Sequence, residues 1–272
     1  MDRSRLSNTV RQGIFYGIWI TALTVFVLIV AYQEQLGLQS DYLFRMRTNF
    51  INNFITDSRW RWLLDGFGQT LLITVFAVMI GVFIGLSLAM IKVLEYNGRK
   101  VFFLTRFANL YLTVIRGTPV VVQLLIIYYV IFGSVNISKV MVASLAFGIN
   151  SGAYVAEIIR AGILAVDRGQ MEAGRSLGLN YSVTMRKIIL PQAIKNILPA
   201  LFNELIILLK ETAVAGYIAV ADLARAGDMI RARTFDAFMP LLAVAIIYLT
   251  VVLSLTKLMA RLERRLRRSD NR

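Results

Sequence analysis

Four stretches of the chain, 13–32, 66–91, 117–138 and 237–256, contain no charged residue. Each is about 20 residues or longer, which at 1.5 Å per residue is enough helix to cross a hydrocarbon core of roughly 30 Å. A chain inside lipid must satisfy its own backbone polar groups, so only helices and closed barrels remain. Barrel strands would alternate apolar and polar residues in short segments, whereas these runs are continuous. Two further segments, 139–161 and 196–221, are equally apolar apart from a few embedded charges. The expectation is an all-α membrane protein with about six transmembrane helices. The 66–91 run exceeds the minimum, so it tilts or projects beyond the core.

Composition narrows the chemistry. The chain lacks cysteine and histidine. Disulfides and thiolate metal sites are excluded, and the commonest general base and metal ligand are missing. A net charge of +14 would suggest nucleic acid in a soluble protein. Here the cations flank the spans, so they set topology instead, and no nucleic-acid partner is expected. The start carries Arg3, Arg5 and Arg11, and the end reads RLERRLRR. Lys92, Arg99, Lys100 and Arg106 stand against Glu95, and the 162–195 segment holds five basic and two acidic residues. Segments 33–65 and 211–236 are nearly balanced. Both termini, the 92–106 loop and the 162–195 loop are therefore expected in the cytoplasm, and an even number of spans agrees.

The basic start and first apolar run could suggest a secretory signal. The run is too long, and no small-x-small cleavage pattern follows it, so an uncleaved first helix is expected. Trp60 and Trp62 precede the second span and fit an interfacial anchor. Gly81 and Gly85 in the second span, and Gly148 and Gly152 in the fourth, are four residues apart and would let helix backbones approach closely. The one candidate boundary lies near residue 65. It separates an N-terminal helix and external segment (1–64) from a larger unit (65–265) and a basic tail (266–272).

The polar stretch between spans four and five is the least expected in so apolar a chain. Asp167 can cap a helix, and Gln170 three residues later can answer it in a capping box. Helix Arg168–Leu177 would follow, and Gly178 is placed to end it. Ser182 can open a second short helix running to Leu190 and stopping at Pro191. Ala173 and Gly174 would form a small apex, where a partner's backbone could dock closely.

The order Glu172-Ala173-Gly174, three residues, Gly178, nine residues, then Ile188-x-Leu190-Pro191 resembles the EAA loop of ABC importer permeases. Arg116-Gly117-Thr118-Pro119, Glu157-Ile158-Ile159-Arg160-Ala161-Gly162, Arg168-Gly169-Gln170 and Leu209-Lys210-Glu211-Thr212 are similar to elements of the polar amino acid permease subgroup. Two positions depart: Gly174 stands where many members have alanine, and Ala213 where the subgroup has serine. The resemblance covers about 65–265 and implies a five-helix core with one additional N-terminal helix. It also implies that the loop couples to a separate ATPase subunit through Glu172, Ala173, Gly174, Gly178 and Pro191. Two permease chains, identical or similar, two ATPase subunits and an extracytoplasmic solute-binding protein would assemble in the cell membrane, carrying an amino acid. ATP and magnesium would belong to the ATPase, because this chain has no Gly-x-x-x-x-Gly-Lys-Ser/Thr loop to cradle phosphates.

Ionisable groups inside spans default to functional candidates. Glu157 and Arg160 are three apart on one helix face, suited to bracing or gating, and Arg116 would open the third span. Asn203, Glu204, Lys210, Glu211 and Thr212 in span five offer both charge signs to a zwitterionic amino acid. Glu204 and Glu211 share a face two turns apart. Gln123 and Asn150 are the alternative substrate contacts. Lipid snorkelling for Arg116 and an outer surface position for the span-five cluster remain open. The rival functions are a secondary transporter or channel without an ATPase, which leaves the complete EAA spacing unexplained, and a membrane enzyme, which lacks an acid or nucleophile constellation. Another small polar solute is the alternative cargo.

Overall fold

In a computed structural model the chain is described at residues 24–25, 41–96 and 102–268, and among these residues there are helices and turns but no strand. The first expected span, 13–32, apart from residues 24–25, and the tail beyond residue 268 lie outside the described residues. In order, the helices are α1 (Asp41–Phe50), α2 (Trp60–Tyr96), α3 (Phe102–Gly117), α4 (Val120–Ile126, continued by a π-turn Ile127–Ile131), α5 (Lys139–Leu164), α6 (Arg168–Ser176), α7 (Tyr181–Thr184), α8 (Leu190–Glu211), α9 (Leu223–Thr234) and α10 (Phe238–Arg268).

Among the described residues, three helices are long and apolar enough to cross a membrane: α2, α5 and α10. The bent pair α3–α4 makes a fourth if counted as one span. The expected span 117–138 is thereby corrected. Its helix begins at Phe102, bends by 108° around Gly117–Pro119 and ends at Ile131. Pro119 offers no N–H, and it biases Thr118 away from helical backbone, so the break falls where sequence chemistry places it. Reading only charge-free residues missed the first half, because Arg106 and Arg116 interrupt it. The expected span 196–221 is also revised. Helix α8 starts at Leu190 and stops at Glu211, and a 3-10 segment, Thr212–Ile218, follows. Helix α8 is not among the helices that pass as spans, and Lys195, Asn196, Asn203, Glu204 and Lys210 interrupt its apolar run.

The described chain divides into two units, one comprising residues up to Trp60 with Ile230–Pro240, the other Arg61–Met229 with residues from Leu241 onward. In the smaller unit, the fully buried Asn53 donates to Asp236 Oδ2 at 2.7 Å. Arg59 donates to the Asn52 carbonyl and to Asp57 Oδ2 at 2.8 Å.

In the larger unit α5 is central: 72% of its apolar window is buried, against 11% for α10. Lipid supplies no hydrophobic force between helices, so close packing must hold them. The two glycine pairs face each other. A Cβ on Gly81 or Gly85 would stand 3.0 Å from Ser151 Cβ or 2.4 Å from Val155 Cγ1. One on Gly148 or Gly152 would stand 2.7 Å from Ile80 or 2.8 Å from Ile84. The expectation of close packing is met by a reciprocal interface between α2 and α5. A core of Ile73, Leu124, Phe147, Leu208 and Ile218 joins α2, α4, α5, α8 and the 3-10 segment. A second core, with Ala89, Val155, Ile159, Ala193 and Ile197, carries the packing down to the α6–α7 loop through Val166 and Ile189.

Candidate functional site

The α6–α7 loop is built as two short helices. Asp167 caps α6, accepting from Gly169 N at 2.7 Å. Helix α6 ends in a turn at Gly178, whose φ of +80° is the left-handed region that glycine enters without a Cβ penalty. Leu179 N reaches back to Gly174 O and Gly178 N to Arg175 O, so this end of the helix leaves few carbonyls bare. The cap of the second helix is Asn180 and not the expected Ser182, since Asn180 Oδ1 accepts from Val183 N at 2.9 Å.

Pro191 does not stop that helix. Helix α7 runs through a π-turn, Met185–Ile189, directly into α8, with Pro191 in the first turn of α8. A proline there removes an N–H from a ladder already shifted to a wider repeat, and its ring is compatible with the start of a helix. The loop's second half is therefore one rod with α8. The expected exposed apex is also corrected. Glu172 and Ala173 are exposed, but Gly174 is buried, and a Cβ on it would stand 2.5 Å from Thr184 Cγ2. Gly174 is small because it packs on the chain's own second helix. Of Ile188, Leu190 and Pro191, only Pro191 is exposed.

Glu157 and Arg160 form the expected pair on α5: Arg160 donates from Nε and Nη2 to the two carboxylate oxygens, at 2.9 and 2.5 Å. They border a cavity of about 1250 Å³ that also meets Lys92, Arg168, Glu172 and Arg175. The brace and the loop thus bound one polar space. Arg116 does not open a span. It sits in the last turn of α3, exposed, with its guanidinium 5.8 Å from the Tyr154 ring centroid.

The remaining polar residues divide by face. Gln123 and Asn150 are buried, at 8% and 4% exposure. Gln123 Nε2 donates to Ile115 O at 2.7 Å, Thr118 O at 3.1 Å and Thr118 Oγ1 at 2.8 Å, while its Oε1 accepts from Asn150 Nδ2 at 3.0 Å. Gln123 is committed to closing the α3–α4 bend, where helix-end carbonyls would otherwise be orphaned. Glu204 is buried too and accepts from Ser151 Oγ at 2.9 Å. Thr212 is fully buried and donates to Leu209 O at 2.8 Å. Asn203 and Lys210 are exposed, and Glu211 is half-buried. The shared face of Glu204 and Glu211 is thus the side of α8 that packs inward. Sequence reasoning did not single out Ser151 or Thr184. A lone hydroxyl carries no signal until the facing helix is known.

The family described as "binding-protein-dependent transport system inner membrane component" matches residues 77–268. The chain belongs to that family. The permease is 41% identical over 194 residues to the putative glutamine transport system permease protein of Rickettsia conorii, covering 70% of this chain and 86% of the relative. It is 39% identical over 210 residues to the arginine transport system permease protein of Bacillus subtilis, covering 76% and 94%. Among solved structures, an amino acid ABC transporter crystallised with histidines matches with TM-score 0.72 and 45% identity, over 78% of this chain and 98% of that one. The inward-facing methionine transporter MetNI matches at TM-score 0.66 and 20% identity, a likeness of fold alone. The matched segment contains α3 through α9, and so the bend, the loop and every candidate residue above.

Proposed function

We propose that the chain is the membrane-spanning permease subunit of an ATP-driven ABC importer for amino acids. The observation that carries this reading is the α6–α7 loop. It is a capped, glycine-turned element, fused to span five, inside a segment matched by the family. A loop this well built and this firmly tied to a membrane helix suits the transfer of force. Exposed Glu172 and Ala173 give a docking partner a small, charged crest, and Gly178 sets the angle between the two short helices.

In this reading two permease chains form the pathway, two ATPase subunits dock under the α6–α7 loops, and a solute-binding protein delivers cargo from outside. The ATPases hold ATP and magnesium. Their closure pushes the loops, α8 follows as the same rod, and the pathway alternates between its two openings. The loop and both termini are cytoplasmic, as the flanking cations favour. An amino acid cargo is supported by the names of the glutamine and arginine relatives and of the histidine-bound transporter. Lys210 and Glu211 supply opposite charges for a zwitterion. Co-expression with a candidate ATPase tests the reading: it should co-purify, and its hydrolysis in lipid discs should rise when an amino acid-loaded binding protein is added. A permease that transports alone, without any ATPase, overturns it.

A further inference from the structure

The smaller unit, which joins residues up to Trp60 to Ile230–Pro240, holds the N-terminal ends of two membrane helices. Trp60 opens α2 and Phe238 opens α10, and both helices are long and apolar enough to span. The unit therefore stands where the chain passes from water into lipid. Phe50, Ile51, Ile55, Trp60, Phe235 and Phe238 are all exposed in it, Phe235 at 95%. A single exposed apolar residue needs no explanation, but six gathered on one small unit do.

Helix α1 is two-sided. Leu43, Met46 and Phe50 recur at helical spacing along one stripe, and the exposed Asp41, Arg45 and Thr48 along the opposite one. The chain continues through a π-turn, Ile51–Ile55, and a 3-10 turn, Thr56–Ser58, to Trp60. Buried Arg59 holds this corner by donating to the Asn52 carbonyl and to Asp57.

Phe235 is the sharpest anomaly. Among the described residues, four non-glycine residues have positive φ, and three of them, Asp57, Ser58 and Phe235, lie in this unit, Phe235 at +55°. Left-handed backbone is an outlier for a bulky side chain and persists only where its surroundings over-determine it. Here Phe235 N donates to Arg231 O at 2.9 Å, Asp236 N to Thr234 Oγ1 at 3.3 Å and Phe238 N to Asp236 Oδ1 at 3.0 Å. The second Asp236 oxygen accepts from fully buried Asn53. These bonds fix a phenyl ring outward in strained backbone. Water gives nothing to offset that strain, whereas entry of the ring into an apolar medium does. Arg231 and Arg233, in the last turn of α9, are exposed beside it. Cations next to an apolar wedge match a layer with phosphates on one side and acyl chains on the other.

We propose that the smaller unit is an interfacial collar, in which the apolar stripe of α1, the π-turn isoleucines and the Phe235 wedge lie in the lipid headgroup layer where α2 and α10 begin. Its partner is the lipid surface. A second copy or another protein would also cover apolar side chains. Lipid is favoured because the patch is covalently continuous with two spans and sets aromatic rings among cations, the composition of a membrane-interface belt. The collar goes beyond the importer reading and requires no cargo, ATPase or binding protein.

The chain has no native cysteine, so single cysteines carry a nitroxide label directly. The label is placed at Phe235→Cys, at Ile51→Cys, where Phe235 is retained, and at Thr48→Cys on the polar stripe of α1. The full-length permease is studied in discs of phosphatidylcholine and phosphatidylglycerol. Collision with lipid-soluble oxygen, relative to a water-soluble nickel chelate, should be about tenfold higher at positions 235 and 51 than at 48. Equal ratios at the three positions overturn the collar. So does spin–spin broadening at 235 between two permease copies, which makes the patch a subunit interface. Immobilisation of the 235 label only when loaded binding protein is added overturns it as well, because the wedge then meets protein. Adding Asn53→Ala to Phe235→Cys should lower the oxygen-to-nickel ratio about threefold by releasing Asp236. An unchanged ratio overturns the role of Asn53 in holding the wedge at the membrane.

Discussion

At the scale of single residues, Gly174 and Gly178 do different work within five positions of each other. Gly178 has open space around it, and only its φ of +80° is special. A β-branched residue there bears a left-handed penalty of roughly 1–2 kcal/mol with no clash to confuse the result. Gly178→Val is expected to insert normally in the membrane but to lose ATPase association or transport-coupled hydrolysis, while Gly178→Asn, which tolerates left-handed backbone, keeps most of it. Full coupling in the valine variant would show that the turn is not part of the coupling element. Gly174 has ordinary backbone and is limited by Thr184 Cγ2. Gly174→Ala should therefore loosen the loop by about 1–3 kcal/mol, the usual cost of overpacking. Thr184→Ser removes that methyl and keeps the hydroxyl that donates to Asn180 O. The double variant should recover protease resistance of the loop that Gly174→Ala loses. This pairing also accounts for glycine at a position where similar loops carry alanine.

At the scale of elements, the bend between α3 and α4 hangs on one side chain. Gln123 Nε2 serves the Ile115 and Thr118 carbonyls, and its Oε1 holds Asn150 on α5. Gln123→Leu strands these buried groups, at about 1–3 kcal/mol for a buried polar group left unpaired. The variant should melt at lower temperature in detergent than Arg116→Ala, whose side chain is exposed. An equal melting point for the two would show that the bend is held by Pro119 alone. The bend also marks the limit of what the sequence made legible. Charge-free length revealed α2 and α10, and the glycine spacing revealed a close interface, because both are local periodic signals. The capped loop was legible from Asp167 and Gly178 for the same reason. Helix α3 was missed because its arginines interrupt the apolar count. Pro191 was misread as a stop because a proline in the first turn of a helix looks the same in sequence as one that ends a helix. The partition of α8 into a buried Glu204 face and an exposed Asn203 face depends on which side meets α5, and no local pattern in α8 records that.

At the scale of the whole molecule, the N-terminal region stands apart from the matched family segment. The match begins at residue 77, and the relatives are covered over more of their own length than this chain is of its length, 86% against 70% for the Rickettsia conorii protein and 94% against 76% for that of Bacillus subtilis. The described part of the extra region has its own tie to the corner between α9 and α10, the Asn53–Asp236 hydrogen bond. The α6–α7 loop and the helices that carry it, α5 and α8, are packed among residues of the larger unit, through Val166, Ile189 and Ile197. Removing residues 1–60 should therefore leave the α6–α7 loop and the helices that carry it whole while stripping Asp236 of its partner. A chain starting at Arg61, given a cleavable leader so that α2 inserts in its native direction, is expected to retain ATPase association and hydrolysis in lipid discs. Its stimulation by the binding protein should fall modestly, and Asp236→Asn in the full-length chain should reproduce part of that loss. The measurement is nucleotide hydrolysis with and without loaded binding protein, alongside recovery of the ATPase on the tagged permease. Loss of ATPase recovery from a correctly inserted truncated chain would mean that the first 60 residues hold the coupling helices in place, and that the larger unit is not sufficient for the energy-transducing half of the mechanism.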